Sequence, residues 1–421
     1  MNNFDVKKFS GYSQVILASD ITFAVGMSYG AYGLLIVPLS DRLGCSLAAA
    51  GIPAIFENIA GFLSGLFISG KMIEKFTARR CMIINALITS IFLISYVYTP
   101  SLFLLCFWEA VTGASMAFGF TNALSAFIRK WFIDRRETVL GVALASNGLG
   151  AAAGVWLFGF ISTSFSTAAA CIVFFAISIG VVVIGIFFIR NPEQLSQHPL
   201  GWNNSTQGTA DTNIDGSEDF GVDFHTALHS PSLYLIMASC LLCSFSMMLS
   251  PYLATVLMSN GMGEMDAANF ATINNLALAL ASVVVGTITA KLGTKFYVIV
   301  SFGLATLGLA ALGGWIGFST NSLLLVVAAI GLGTGFSVGN TYGPLVTTKI
   351  FGNRCYDRII PMIFSMRGVG LALGVIIIPT AAEKLGSWIP SIVAGAGIMI
   401  VATAMSLLAV RLAPMNKDQV Q

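Results

Sequence analysis

The sequence predicts an all-α membrane protein of twelve transmembrane helices in two pseudo-symmetric six-helix bundles, and three observations lead there. The 421 residues are 56% hydrophobic and 10% charged, with a mean hydropathy of +0.85, a balance that soluble domains do not carry. Apolar stretches of about 20 residues, enough to cross ~30 Å of hydrocarbon at 1.5 Å per residue, recur along nearly the whole chain. They are continuous rather than alternating and contain Gly and Pro, which selects helices over barrel strands.

The stretches place spans at 15–39, 47–69, 82–98, 102–128, 139–162 and 168–189, then at 232–258, 267–289, 297–318, 323–347, 359–382 and 388–412. One long polar segment interrupts them. It divides the chain into an N-terminal bundle at 1–190, a linker loop at 191–230 and a C-terminal bundle at 231–421. The linker gathers Asp211, Asp215, Glu218, Asp219 and Asp223 and reads as a flexible, solvated connection. Cys240 and Cys243 spell a CxxC, but inside an apolar run they read as buried small hydrophobes.

Charge sets the orientation. Of 21 Lys and Arg, only Arg42 and Lys384 fall in the turns opposite the termini, and Arg367 lies inside a span; the rest share the side of the termini. Retention of cations on the cytoplasmic face then puts both termini and the linker in the cytoplasm of a multi-pass plasma (inner) membrane protein. The first apolar run is too long for a cleaved signal peptide.

The halves echo each other. Ala145 to Gly154 reads ASNGLGAAAG and Ser365 to Gly374 reads SMRGVGLALG, so Gly148, Gly150 and Gly154 fall opposite Gly368, Gly370 and Gly374, and Asn147 opposite Arg367. Duplication accounts for this most simply. The glycines at 331, 333, 335 and 339 read, like the first series, as sites of close helix approach.

Ionisable residues inside spans are unfavourable by about 2.5–3.5 kcal/mol on insertion scales and mark function by default. Asp20, Glu57, Glu109 and Arg367 qualify. Arg367 offers a planar, bidentate mate for a carboxylate; the plainer reading is an ion pair with a buried acid. Glu109 and Glu57 are proton-coupling candidates, with a pair to Arg367 or an interhelical hydrogen bond as the alternative for Glu109. Tyr29, Tyr32, Asn147, Asn274, Asn340 and Tyr342 complete the candidate substrate site, although many such groups serve only to join helices.

Other classes are poorly served. No phosphate-cradling loop for ATP is present. His198, His225 and His229 all lie in the linker, away from any intramembrane nucleophile or metal cluster, so an enzyme, a metal site and a bound cofactor are not expected. No basic patch interleaved with aromatics suggests nucleic acid.

Residues Gly70 to Arg80, GKMIEKFTARR, resemble the loop between helices two and three of the major facilitator superfamily: a Gly, three residues, an Asp, a cation, one residue, a Gly, one residue and two cations. Glu74 stands for the Asp and Thr77 for the second Gly. A weaker copy, GTITAKLGTK, runs from Gly286 to Lys295 with Ala290 in place of the acid. The resemblance implies secondary transport by rocking of two bundles, with Gly70, Glu74, Lys75, Arg79 and Arg80 as a gating loop that latches onto the facing half. Tyr29 to Leu39, YGAYGLLIVPL, and Arg190-Asn191-Pro192-Glu193 are similar to segments of the oxalate/formate exchanger and monocarboxylate transporter group. That group places a cation in the eleventh helix to hold its anion, which implies that Arg367 binds a small organic anion, in particular a monocarboxylate, moved by proton symport or anion exchange through a monomer in the lipid bilayer. The group's usual Arg on helix eight is missing, with Ser282 near its place, which favours a monoanion or a zwitterion over a dicarboxylate. The runner-up is a proton-coupled carrier of a cationic, zwitterionic or neutral solute in which Arg367 is structural and pairs with Glu57, since helices two and eleven are neighbours in that fold.

Overall fold

A computed structural model describes residues 9–132, 136–200, 221–318, 321–352 and 356–414. They form seventeen α-helices: α1 Gly11–Gly30, α2 Tyr32–Leu43, α3 Leu47–Gly51, α4 Pro53–Phe67, α5 Ser69–Tyr98, α6 Leu102–Gly119, α7 Thr121–Trp131, α8 Arg136–Ser164, α9 Thr167–Phe188, α10 Phe224–Leu228, α11 Pro231–Met247, α12 Leu253–Ser259, α13 Glu264–Leu292, α14 Thr294–Phe318, α15 Ser322–Phe351, α16 Tyr356–Leu385 and α17 Ile389–Arg411. Ten helical spans are long and apolar enough to cross a membrane; α1 and α2, bent by 41° at Ala31, make an eleventh. The seventh expected span is broken, its apolar part α11 ending at Met247 and the chain resuming as α12. Pro251 lies in that gap and has no N–H to continue the helix.

Packing repeats with two-fold logic. In the first half α1 lies against α8, α4 against α6 and α5 against α9; in the second, α11 lies against α16, α13 against α15 and α14 against α17. The halves meet where α8 packs on α13 and, by the same symmetry, α16 on α4.

The duplicated glycines show why. A Cβ at Gly150 would sit 2.1 Å from the Phe23 carbonyl oxygen and one at Gly154 2.2 Å from that of Met27, one turn along α1. A Cβ at Gly370 would sit 2.3 Å from the Leu241 carbonyl oxygen and one at Gly374 2.9 Å from that of Phe245, one turn along α11. Backbones this close exclude any side chain. Gly148 instead faces Ala279 of α13, at 2.7 Å, and its counterpart Gly368 faces Phe62 of α4, at 4.0 Å. Each glycine run therefore serves two contacts, one within its half and one across the divide.

The linker is more ordered at its ends than its composition suggests. Leu200 donates its N–H to the Trp131 carbonyl at the end of α7 (2.9 Å), and Val222 donates to that of Phe351 at the end of α15 (3.0 Å). Lys130 pairs with Glu193 at 3.6 Å. Residues 201–220, with four of the five acids noted above, lie outside the described residues.

Candidate functional site

The two broken spans face each other. A cavity between the halves is bounded by Tyr29 at the end of α1, by Ser250 in the gap between α11 and α12, by Asn274 and Asn275 of α13 and by Phe336 of α15. Helix breaks at mid-depth are tolerated where the freed backbone lines a cavity, and substrate sites of carriers are built on them. Ser250 donates to Asn274 Oδ1 at 3.1 Å. This fixes the amide and leaves its nitrogen as a donor for the cavity.

Arg367, half-buried on α16, lies behind the Phe336 wall with its guanidinium 6.0 Å from that ring's centroid. No carboxylate approaches it within 4.0 Å among the described residues, and its Nε is buried without a hydrogen-bond partner. Neither Glu57 nor Glu109 neutralises it. Gly339 of α15 lies alongside: a Cβ there would stand in ordinary contact, 3.4 Å from Arg367 Nε and 3.7 Å from Ser244 Oγ. Ser244 Oγ is itself buried and unpartnered.

A second polar cluster occupies the first half. Tyr96 of α5 donates its hydroxyl to Glu109 Oε1, and Glu109 Oε2 is buried without a partner on a residue with 0% exposure. Glu57 of α4 lies within electrostatic reach of Glu109 and beside the Tyr29 hydroxyl, which has no hydrogen bond of normal geometry. The helices bring the two acids together because Gly113, one turn beyond Glu109, lets α6 close on the Glu57 backbone; a Cβ there would meet the Glu57 carbonyl oxygen at 2.0 Å. Aromatic rings seal the cluster. Tyr29 stacks on Phe92 at 5.2 Å, Tyr32 meets Tyr96 edge-on at 6.1 Å, and Tyr32 meets Tyr252 of the other half at 6.4 Å.

Of the residues the sequence nominated, Tyr29 and Asn274 line the cavity and Arg367 and Glu57 stand directly behind its walls. Tyr32 is almost wholly buried above it, with an unpartnered hydroxyl. Asn147 is an interhelical group whose amide donates to the Thr22 carbonyl of α1 at 3.3 Å. Tyr342 does not reach the cavity: it is buried against Phe302 and accepts a hydrogen bond from Ser239 at 3.0 Å, beside the Ser239–Ser406 pair. The side chains of Asn340 and of Glu74 in the gating loop lie outside what the structure describes, as does the surrounding of Gly70.

Among the described residues of that loop, no hydrogen bond or ion pair reaches the other half. Arg79 donates to the Ile186 carbonyl near the end of α9 at 2.5 Å, Lys75 lies 5.5 Å from the Phe76 ring, and Arg80 is exposed. Arg79 thus caps a helix within its own bundle.

Sequence reasoning did not find Tyr96, Ser244, Ser250 or Phe336. Phe336 sits among the glycines read as packing, and Tyr96 among apolar residues where only the partner, Glu109, gave a signal. Among the described residues no three His, Cys, Asp or Glu side chains converge to hold a metal ion.

Comparison with known proteins places the fold. The family model described as Major Facilitator Superfamily matches residues 21–374. The crystal structure of a point mutant of the nucleoside transporter NupG superposes with a TM-score of 0.73 at 14% identity, over 94% of this chain and 99% of that one. A bacterial homolog to the human lysosomal transporter Spinster, in an inward-facing and occupied conformation, superposes with a TM-score of 0.69 at 15% identity, over 96% of this chain and 97% of that one. No curated protein sequence matches the chain.

Proposed function

This chain belongs to the Major Facilitator Superfamily, and from that premise we propose that it is a secondary transporter of a small organic anion, a monocarboxylate in its simplest form, moved by proton symport. One observation carries the reading. A guanidinium set among membrane-spanning helices, with no acid within 4.0 Å among the described residues and an unpartnered Nε, is unfavourable unless a charge of opposite sign arrives to meet it. A carboxylate entering the cavity meets Arg367 past Phe336 and takes a hydrogen bond from the Asn274 amide, both from the second half.

The proton has a separate place. Glu109 is fully buried and holds one hydrogen bond, from Tyr96, and an intramembrane carboxyl group of this kind is a proton-site candidate by default. Glu57 lies near both Glu109 and Tyr29, which gives a proton exchanged at Glu109 a route by way of Glu57. The bundles at 1–190 and 231–421 rock about this site, with the termini on the cytoplasmic face as the cation distribution requires.

Proteoliposome uptake of labelled short-chain carboxylates and amines, with and without an inward acid gradient, tests the assignment. Carboxylate uptake is expected to rise with the acid gradient in the native protein and to be lost in Arg367→Gln. Undiminished carboxylate uptake by Arg367→Gln removes the anion anchor. Stimulation by internal carboxylate without any response to the gradient replaces symport by exchange.

A further inference from the structure

The first half gathers cations where α9 leaves the membrane. The apolar span of α9 ends at Phe188, and the last carbonyls of a helix need donors from outside it. Arg79 of α5 supplies one, from Nη2 to the Ile186 carbonyl at 2.5 Å. Arg190 stands four residues beyond that carbonyl in the chain, and its backbone is pinned. Its N–H donates to Gln14 Oε1 of α1 at 2.6 Å, while Gln14 Nε2 donates to the Phe188 carbonyl at 3.3 Å. Arg80, next to Arg79, is exposed.

No acid answers these charges. Lys130 with Glu193 is the one ion pair among the described residues, so none of the three guanidiniums has a carboxylate within 4.0 Å there. Arg79 Nε is buried without a hydrogen-bond partner. Retention of cations on the cytoplasmic face accounts for the side of the membrane they occupy, but it does not call for three at one helix end, where like charges repel. The surface beside them is apolar and open: Phe187 and Phe188 are 63% and 61% exposed, and Val183, Ile184 and Ile186 are exposed as well. On a membrane-spanning helix such residues face acyl chains.

Guanidinium groups at headgroup level, with apolar surface directly beneath, match a phospholipid end to end. We propose that this corner binds an anionic phospholipid of the leaflet on the terminal face, its phosphate between Arg79 and Arg190, Arg80 at the rim, and its chains along Phe187 and Phe188. All three cations are Arg, whose fork of N–H donors matches phosphate oxygens better than an ammonium does. A zwitterionic headgroup brings an ammonium of its own into the cluster and loses part of the attraction, so the site selects net negative charge. The bound phosphate ties the end of α9 to α5 just beyond the turn at Thr77, and so adds to the contact that Arg79 already makes. What the central cavity carries has no bearing on this assignment.

Binding is read on delipidated, detergent-purified protein by native mass spectrometry and thermal shift, with phosphatidylglycerol, cardiolipin and phosphatidylcholine of matched chains. The two anionic lipids are expected to bind roughly tenfold or more tighter than phosphatidylcholine and to raise the melting temperature further. Arg79→Gln combined with Arg190→Gln is expected to remove most of that margin. Arg190→Gln alone is expected to remove part of it with the fold intact, because the Arg190 backbone, not its side chain, is what Gln14 holds. Lys295→Gln combined with Arg411→Gln removes the same charge from exposed positions of the second half on the same face, and is expected to leave the margin in place. No margin in the native protein, or a margin unchanged by Arg190→Gln and by the double variant, overturns the site; should the double variant not fold, the single one decides. Equal loss in the second-half pair overturns it too, since the attraction then belongs to the whole face. Displacement of the lipid by glycerol 3-phosphate at equal concentration makes the site one for soluble phosphate and overturns the lipid.

Discussion

Thr77 holds φ at 67° and ψ at 150° in the sharp turn that α5 makes after its first two turns. That region is nearly closed to residues with a Cβ, and a β-branched side chain is worse placed than most. The family loop carries Gly at this position, and the backbone shows the reason: the chain must reverse from the end of α4 into the membrane part of α5 within a few residues. Strain of about 1–3 kcal/mol is the expected scale for a non-Gly residue held there. Thr77→Gly should therefore raise the melting temperature of the detergent-purified protein, despite the added freedom of the unfolded chain that a glycine brings. A lower melting temperature would mean that the Thr77 side chain makes contacts worth more than the strain. At the same scale Arg42, one of only two cations on the face away from the termini, needs no substrate to explain it. Its guanidinium donates to the Val97 carbonyl at 2.5 Å, to that of Thr99 at 3.1 Å and to that of Tyr96, capping α5 at the residue whose hydroxyl holds Glu109.

Helix against helix, the protein is organised by the paired glycine runs of α8 and α16. Replacing Gly154 or Gly374 with Val forces apart backbones whose contact leaves no space for a methyl group, and each change should destabilise its bundle by about 1–3 kcal/mol or more. Because the two positions are equivalent by the internal repeat, their effects should be alike, whereas Gly180, whose Cβ would meet nothing within 4 Å, should accept Val with little change in melting temperature. Insensitivity at Gly374 alongside loss at Gly154 would show that the halves are not energetically equivalent. This level of the structure was plainly legible in the sequence, because an apolar span of fixed length and a repeated glycine spacing are one-dimensional signals. The bend at Ala31 was not, since YGAYG reads as a continuous helical span and the contact of α12 with α2 beyond the bend joins residues far apart in the chain. Nor was the acid pair, because Glu57 and Glu109 are 52 positions apart and only the close approach of α4 and α6 at Gly113 makes them neighbours. Asn147 and Tyr342 show the converse error: polar side chains inside a span look alike in sequence whether they face a cavity or a neighbouring backbone.

Across the whole molecule, the halves are joined from mid-depth toward the face that bears the short turns. Thr272 donates to the Ala152 carbonyl at 3.4 Å, Thr255 to that of Gly33 at 2.7 Å, and Ala48 donates its N–H to Glu383 Oε1 at 2.8 Å. The last contact is informative, because it places a carboxylate from α16 at the N-terminus of α3, where the Ser46 hydroxyl already accepts from Ala49. One helix start is thus capped jointly by both halves, and opening this face must leave an N–H without its partner. Capping interactions of this kind are worth about 0.5–2 kcal/mol, which corresponds to a few-fold to about thirtyfold change in the ratio of closed to open states. Glu383→Ala should shift that ratio toward the state open on the turn face, without touching the cavity. In a background carrying Cys45→Ser and a reporter Asn275→Cys, membrane-impermeant maleimide added from the turn face should then alkylate the reporter several-fold faster, and the same reagent from the terminal face more slowly. Opposite changes on the two faces follow only if a single rocking equilibrium controls access. Equal acceleration on both faces would instead signify general loosening, and no change on either would mean that closure rests on close packing such as that of the Tyr252 hydroxyl against Gly51, with the Glu383 cap merely following.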